Sequence, residues 1–184
     1  MKGQFFLIVA LSLTLLYFVG MVPYLSPPSI TEGDYSKNLL QIFTNIYDEY
    51  PRVLNFGINE SAATGHLSNF TLFAKTFVKD KGLSLEAFWL VAENSSDDVN
   101  VTVGNYLGRP QNVTLNISSE THYVYLENNS TGYVVFSSPP AQFNITVTFN
   151  SRQSQISLEK YKTSIYFFLS MSNGENVMKG EGKA

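Results

Sequence analysis

The 184-residue chain contains no cysteine. Disulfides, thiolate metal sites and thiol nucleophiles are therefore excluded within it, as is a lipid-modified N-terminal cysteine. Histidine is scarce: only His66 and His122 occur, and neither sits in a His-x-His or His-Glu-x-x-His pair, so no metal site is expected. His122, beside Tyr123, reads as a surface residue. Charge is sparse as well, at 15% of residues and a formal net charge of -3. A weakly acidic chain lacks the footprint of a nucleic-acid binder. The closest basic cluster, Lys75, Lys79 and Lys81, reads as a solvated helix face. Glycine-rich phosphate loops and the Gly-x-Ser-x-Gly elbow are missing. Asp97 and Asp98, with Asn94 and Asn100, lack EF-hand spacing and read as a solvated turn. No catalytic residue and no cofactor is expected, and the chain does not read as an enzyme.

One absence is local. No charged residue occurs from Gln4 to Thr31, and Phe5 to Val22 is an almost unbroken apolar run. As a helix that run would be about 27 Å long, close to the ~30 Å hydrocarbon thickness of a bilayer. A cleaved secretory signal has an apolar stretch of ~7–15 residues and small residues at its cut. This run is longer, and Phe18 is bulky where a small residue is wanted. A buried core helix rarely starts at residue five with no polar face. The run is therefore expected to be a single transmembrane helix. Lys2 precedes it, whereas Glu32 and Asp34 follow it. The positive flank places the N terminus in the cytoplasm and the remaining domain outside the cell membrane. Pro23, Pro27 and Pro28 end the helix at the outer surface, and Tyr17 and Tyr24 fall at headgroup depth.

Lys2-Gly3-Gln4 followed directly by an apolar run resembles the class III signal peptides of archaeal type IV pilin-like surface proteins. The resemblance covers the first 20 or so residues. It implies a prepilin-type peptidase as partner, cutting between Gly3 and Gln4, and an apolar helix that survives as anchor or filament core. The family commonly has Ser and Glu at the third and fifth positions after the cut. Phe6 and Ile8 stand there in this chain, which favours an anchor that holds the domain over one that packs into a filament.

Beyond the prolines, Asp34 to Tyr50 has the spacing of an amphipathic helix, with Leu39, Leu40, Phe43, Ile46, Tyr47 and Tyr50 on one face and Pro51 as its end. A second helix is expected from about Gly65 to Asp80, packing through Leu67, Phe70, Phe73, Phe77 and Val78. From Leu83 the period changes to two. Strands are expected at 83–92, 99–107, 111–118, 121–126, 132–137, 142–150, 155–159 and 163–171, separated by turn-rich segments. Trp89, among Phe88, Leu90 and Val91, reads as core. The fold class is α+β: a transmembrane helix, one or two further helices, then an antiparallel β-sandwich of about eight strands. The organisation is a stub and anchor over 1–25, a linker and helical subdomain over 26–82, the sandwich over 83–172 and a polar, mobile tail over 173–184.

Nine Asn-x-Ser/Thr sequons occur, at Asn59, Asn69, Asn94, Asn100, Asn112, Asn116, Asn128, Asn129 and Asn144. Random placement of 16 Asn and 33 Ser plus Thr would give roughly three. Strand physics accounts for some. In Asn112-Val113-Thr114 and Asn144-Ile145-Thr146 the polar residues share one face and the apolar residue faces the core. Asn94, Asn128 and Asn129, placed in turns, need another explanation. Dense sequons, no cysteine and the Lys-Gly-Gln start together point to an N-glycosylated archaeal surface protein. Its partners would be the lipid bilayer and either further copies of itself or other surface proteins. The alternative is an ectodomain that binds a ligand or adhesion partner without assembling a filament, with Tyr123, Tyr125 and Tyr133 as contact candidates.

Overall fold

Two strands of this chain do not alternate, and they decide its layering. Ala87–Ala92 and Ile165–Met171 are continuous buried runs. A strand buried on both faces has to lie in the middle of a sheet that is covered on both sides. The computed structural model of the protein describes residues 32–59, 62–95, 97–117, 120–159 and 161–183. The elements are α1 (Glu32–Asn59), α2 (Ala63–Lys79), β1 (Ser84–Ser95), β2 (Asp98–Tyr106), β3 (Gln111–Ile117), β4 (Glu120–Leu126), β5 (Ser130–Ser137), β6 (Gln142–Phe149), β7 (Arg152–Glu159), β8 (Ser164–Ser172) and β9 (Val177–Lys183). Residues 38–184 form one compact unit, and the packing described below lies within it. The apolar run Phe5–Val22, its flanking prolines and the Gly3-Gln4 pair lie outside the described residues.

The chain is α+β, with nine antiparallel strands in two sheets. One sheet has the order β5-β2-β1-β8-β9, the other β4-β3-β6-β7. The even-numbered residues of β1, Phe88, Leu90 and Ala92, face the four-stranded sheet. They meet Leu115, Ile145, Val147 and Phe149 in the first core. The rings of Phe88 and Phe149 stack with centroids 3.8 Å apart. The odd-numbered residues, Leu85, Ala87, Trp89 and Val91, face the helices. They join Leu39, Ile42, Phe43, Ile46, Tyr50 and Leu54 of α1, and Leu67, Ala74 and Val78 of α2. The architecture is thus a sandwich with a third, helical layer on its larger sheet.

A row of four residues crosses the larger sheet on its helix side. Gly104, Trp89, Phe167 and Gly182 are successive cross-strand partners on β2, β1, β8 and β9. Trp89 leans over Gly104 and Phe167 leans over Gly182, so a Cβ at either glycine would overlap the ring beside it. With the two rings spread apart, Tyr50 from α1 stacks on Phe167 at 4.9 Å, and Phe70 of α2 meets Tyr50 edge-on at 5.2 Å.

All eight expected strands are found. The ninth, β9, lies where a polar tail was expected. Its sequence, Val-Met-Lys-Gly-Glu-Gly-Lys, carries little apolar material of its own. Its two glycines are covered by rings from other elements, Gly180 by Phe43 and Tyr47 and Gly182 by Phe167. Polar ties complete the seam. Tyr47 donates from its hydroxyl to the Glu181 carbonyl at 2.6 Å, and Lys183 Nζ donates to the Gln155 carbonyl at 2.6 Å. Arg152 reaches Glu181 at 3.3 Å and lies over the Phe168 ring.

The helices depart from expectation in two ways. α1 runs through Pro51 to Asn59. A proline inside a helix costs about 3 kcal/mol, but Tyr50 and Leu54, on either side of it, are both buried in one core. Burying side chains of that size contributes about 1.5–3 kcal/mol each, and the close approach of Gly57 to Ala63 adds a second reason to keep the helix going. The packing face of α2 consists of Ala63, Leu67, Thr71, Ala74 and Val78. Small residues let the helix lie close to the sheet, and Phe73 and Phe77, expected to pack inward, are 65% and 41% exposed.

Gly104→Ala forces its methyl into Trp89 and is expected to lower stability by about 1–3 kcal/mol, read by denaturant unfolding followed through the single tryptophan. Separately, burial, with the Glu181 charge adding to it, pushes the Tyr166 phenol up to about 12. An unfolded tyrosine titrates near 10, so the folded chain keeps this proton longer than the unfolded one. Its contribution is fully present below pH 10 and is lost as pH rises towards 12. Tyr166→Phe is expected to flatten the fall in unfolding midpoint between pH 10 and pH 12.

Candidate functional site

The outer face of the four-stranded sheet is built by simple alternation. β3 presents Asn112, Thr114 and Asn116, β6 presents Gln142, Asn144, Thr146 and Thr148, and β7 presents Gln153, Gln155 and Ser157. β4 adds Tyr123 and Tyr125, which are 81% and 61% exposed. The formal charges at this face lie at its ends: Glu159 closes β7, and Glu127 follows β4. The register places Asn112 opposite Tyr125 and Thr114 opposite Tyr123, and Asn116 opposite Thr146. Ser157 donates to Asn144 Oδ1 at 2.7 Å. The Glu127 carboxylate beside the Tyr125 hydroxyl pushes its pKa up. Such a face offers neutral hydrogen-bonding groups and two open aromatic rings.

The remaining sequons fall in different surroundings. Asn69 sits within α2, and its partner Thr71 is fully buried. The Thr71 hydroxyl donates to the Leu67 carbonyl at 2.7 Å and lies 3.1 Å from the Tyr50 hydroxyl. Asn100 is half-buried on β2, on the helix side of the larger sheet. Asn94, expected in a turn, lies in β1 and pairs with Val99; the hairpin is tighter than the Asn94–Asp98 segment suggested because both strands extend to the Ser95–Asp98 pair. Asn128 and Asn129 do lie in a turn. Asn128 Oδ1 accepts from the Gly108 amide at 2.9 Å, and Asn129 Oδ1 accepts from Lys75 Nζ at 3.2 Å. Asn59 is the last residue of α1.

A second feature was hidden in the sequence. α1 and α2 flank an open groove of about 520 Å³ lined by Glu49, Arg52, Val53, Phe56, His66, Asn69, Phe70 and Phe73. Phe56 meets His66 edge-on at 5.2 Å, and Arg52 pairs with Glu49 at 2.7 Å on the rim. The groove is aromatic because Phe56 and Phe73 point away from the packed face. A count of apolar residues at helical spacing does not separate those two directions; the small residues Thr71 and Ala74 were the available signal.

The other singled-out residues divide. Trp89 is core, as expected. Tyr133 lies on β5, in the other sheet from Tyr123 and Tyr125. His122 is half-exposed, with its ring edge-on to buried Phe136 at 4.7 Å and its Nε2 3.6 Å from Glu120. Lys75 is not a solvated surface lysine. Its Nζ donates to the Tyr106 carbonyl at 2.9 Å, and burial pushes its pKa down. Sequence reasoning also passed over Asn105, which is fully buried. Its Nδ2 donates to the Arg109, Leu126 and Glu127 carbonyls, at 2.9, 3.2 and 3.0 Å, and its Oδ1 accepts from the Leu107 amide. It binds the 107–110 loop to the end of β4. Among the described residues no three His, Asp or Glu side chains gather as a metal site would require, and no helix is long and apolar enough to cross a membrane.

No protein-family model matches the chain, and no curated protein is similar to it in sequence.

Because the Thr71 hydroxyl is buried and already bonded, the folded domain cannot offer Asn69-Phe70-Thr71 to a glycosylating enzyme. Peptide mapping by mass spectrometry of protein isolated from its own cell is expected to find Asn69 bare. Thr71→Val, which leaves the buried Tyr50 hydroxyl without this neighbour, is expected to cost about 1–3 kcal/mol of stability, measured by denaturant unfolding.

Proposed function

We propose that the protein is a membrane-anchored, extracytoplasmic, N-glycosylated surface protein with a structural or interaction role. The observation that carries the reading is the uncharged apolar run Phe5–Val22, preceded by Lys2 and followed by acidic residues. A segment of that length and composition partitions into a bilayer, and the charge asymmetry directs the following domain outwards. The excess of sequons supports the same side of the membrane, because N-linked sugars are added outside the cytoplasm. The Lys2-Gly3-Gln4 start supports pilin-like processing, with a mature chain beginning at Gln4 and an anchor that holds the domain at the surface.

The aromatic groove between α1 and α2 favours a second reading within the same location. An ectodomain that presents exposed Phe56 and Phe73 around a rim ion pair has a surface suited to an apolar ligand or partner segment. In that reading the protein binds at the surface without assembling into a filament.

Fractionation and intact-mass analysis of the protein from its own cell test the leading reading. The chain is expected to stay with membranes through a high-salt wash and to leave them in detergent, with Gln4 at its N terminus. Recovery in the soluble fraction would remove the anchor. A retained Met1-Lys2-Gly3 would remove the pilin-like processing and leave the anchor standing.

A further inference from the structure

We propose that Tyr123 and Tyr125 seat the carbohydrate carried on Asn112, so that this sugar lies flat across β3 and β4. The inference rests on the glycosylated-ectodomain reading above. Three observations support it. Asn112 is exposed on the outer face, and its cross-strand partner is Tyr125; the sequon's hydroxyl residue, Thr114, is partnered by Tyr123. Sequon and aromatic pair therefore form one block of four side chains. Directly opposite residues have Cβ atoms about 4.5–5.5 Å apart, which is close enough for a sugar on the asparagine to reach the neighbouring ring. Second, both rings are largely open to water. The C–H face of a pyranose is apolar and covers an aromatic face as another ring would, while its hydroxyls reach the neutral Asn, Gln and Thr side chains around it. Third, the other sequons of this sheet lack such a seat. Asn144 stands opposite Ser157 and accepts its hydrogen bond, and Asn116 stands between two threonines, Thr121 and Thr146.

The covalent step needs a sugar diphosphate donor. Asn112 Nδ2 bonds to the anomeric carbon, the carbon–oxygen bond to the diphosphate breaks, the diphosphate leaves with the electron pair, and the amide gives up one proton. The seat acts after this step, by holding the product against the sheet.

The test uses the full-length protein from its own cell, in three forms: Asn112→Gln, the pair Tyr123→Ala with Tyr125→Ala, and all three changes together. Glycopeptide mapping is expected to find sugar on Asn112. On the glycosylated protein, removing the two tyrosines is expected to lower the thermal midpoint by about 2–4 °C. In the Asn112→Gln background the same removal is expected to change it far less. Equal shifts in both backgrounds would overturn the seat. Asn112 bare with sugar on other sequons would overturn the seat and spare the glycoprotein reading; no sugar on any asparagine would end both.

Discussion

The stacking of Tyr50 on Phe167 depends on two glycines. Trp89 and Phe167 are neighbours in the middle of the larger sheet, and two such rings standing upright would fill the space the helices need. Each instead lies over a glycine on the strand beyond it. The surface that results is low enough for α1 to place Tyr50 on Phe167, and for α2 to come close through Thr71 and Ala74. Aromatic rings covering glycines on a neighbouring strand also restore the packing that a glycine in a strand forfeits. The helical layer, the second core and the open groove on its far side all rest on this arrangement.

β2 to β7 were legible because they alternate, and alternation is local information; β1 and β8 stood out as short apolar runs between turn-rich segments. β1 to β8 could be placed from residues a few positions apart. What could not be read was what covers each strand. The continuous apolar runs of β1 and β8 are the mark of a strand buried on two faces, and they implied a third layer that the count of strands alone did not reveal. β9 was missed for the opposite reason. Its burial comes from Phe43, Tyr47 and Phe167, which are distant in sequence, so its own residues look like a tail. Pro51 misled because its local penalty is visible in the chain while the tertiary gain at Leu54 is not.

The candidate surfaces show the same division. That Asn112, Asn116 and Asn144 each point outward follows from period two. That Tyr125 stands beside Asn112 follows from the β3–β4 register, which no local pattern specifies. The helix groove was illegible because Phe73 and Phe77 are as apolar as Leu67 and Val78, and only the size of the residues between them hinted at which side packs. Asn105, which is in no sequon and no motif, turned out to be the most thoroughly bonded asparagine among the described residues.

The paired rings and glycines constrain how this chain can drift over generations. Gly104 and Trp89 occupy one volume between them, as do Gly182 and Phe167. A larger residue at either glycine is acceptable only where the ring beside it has shrunk first, and a smaller ring leaves a hole until the glycine gains a side chain. Substitutions at these positions should therefore arrive in couples, so that across any set of descendants the two members of each pair vary together or not at all.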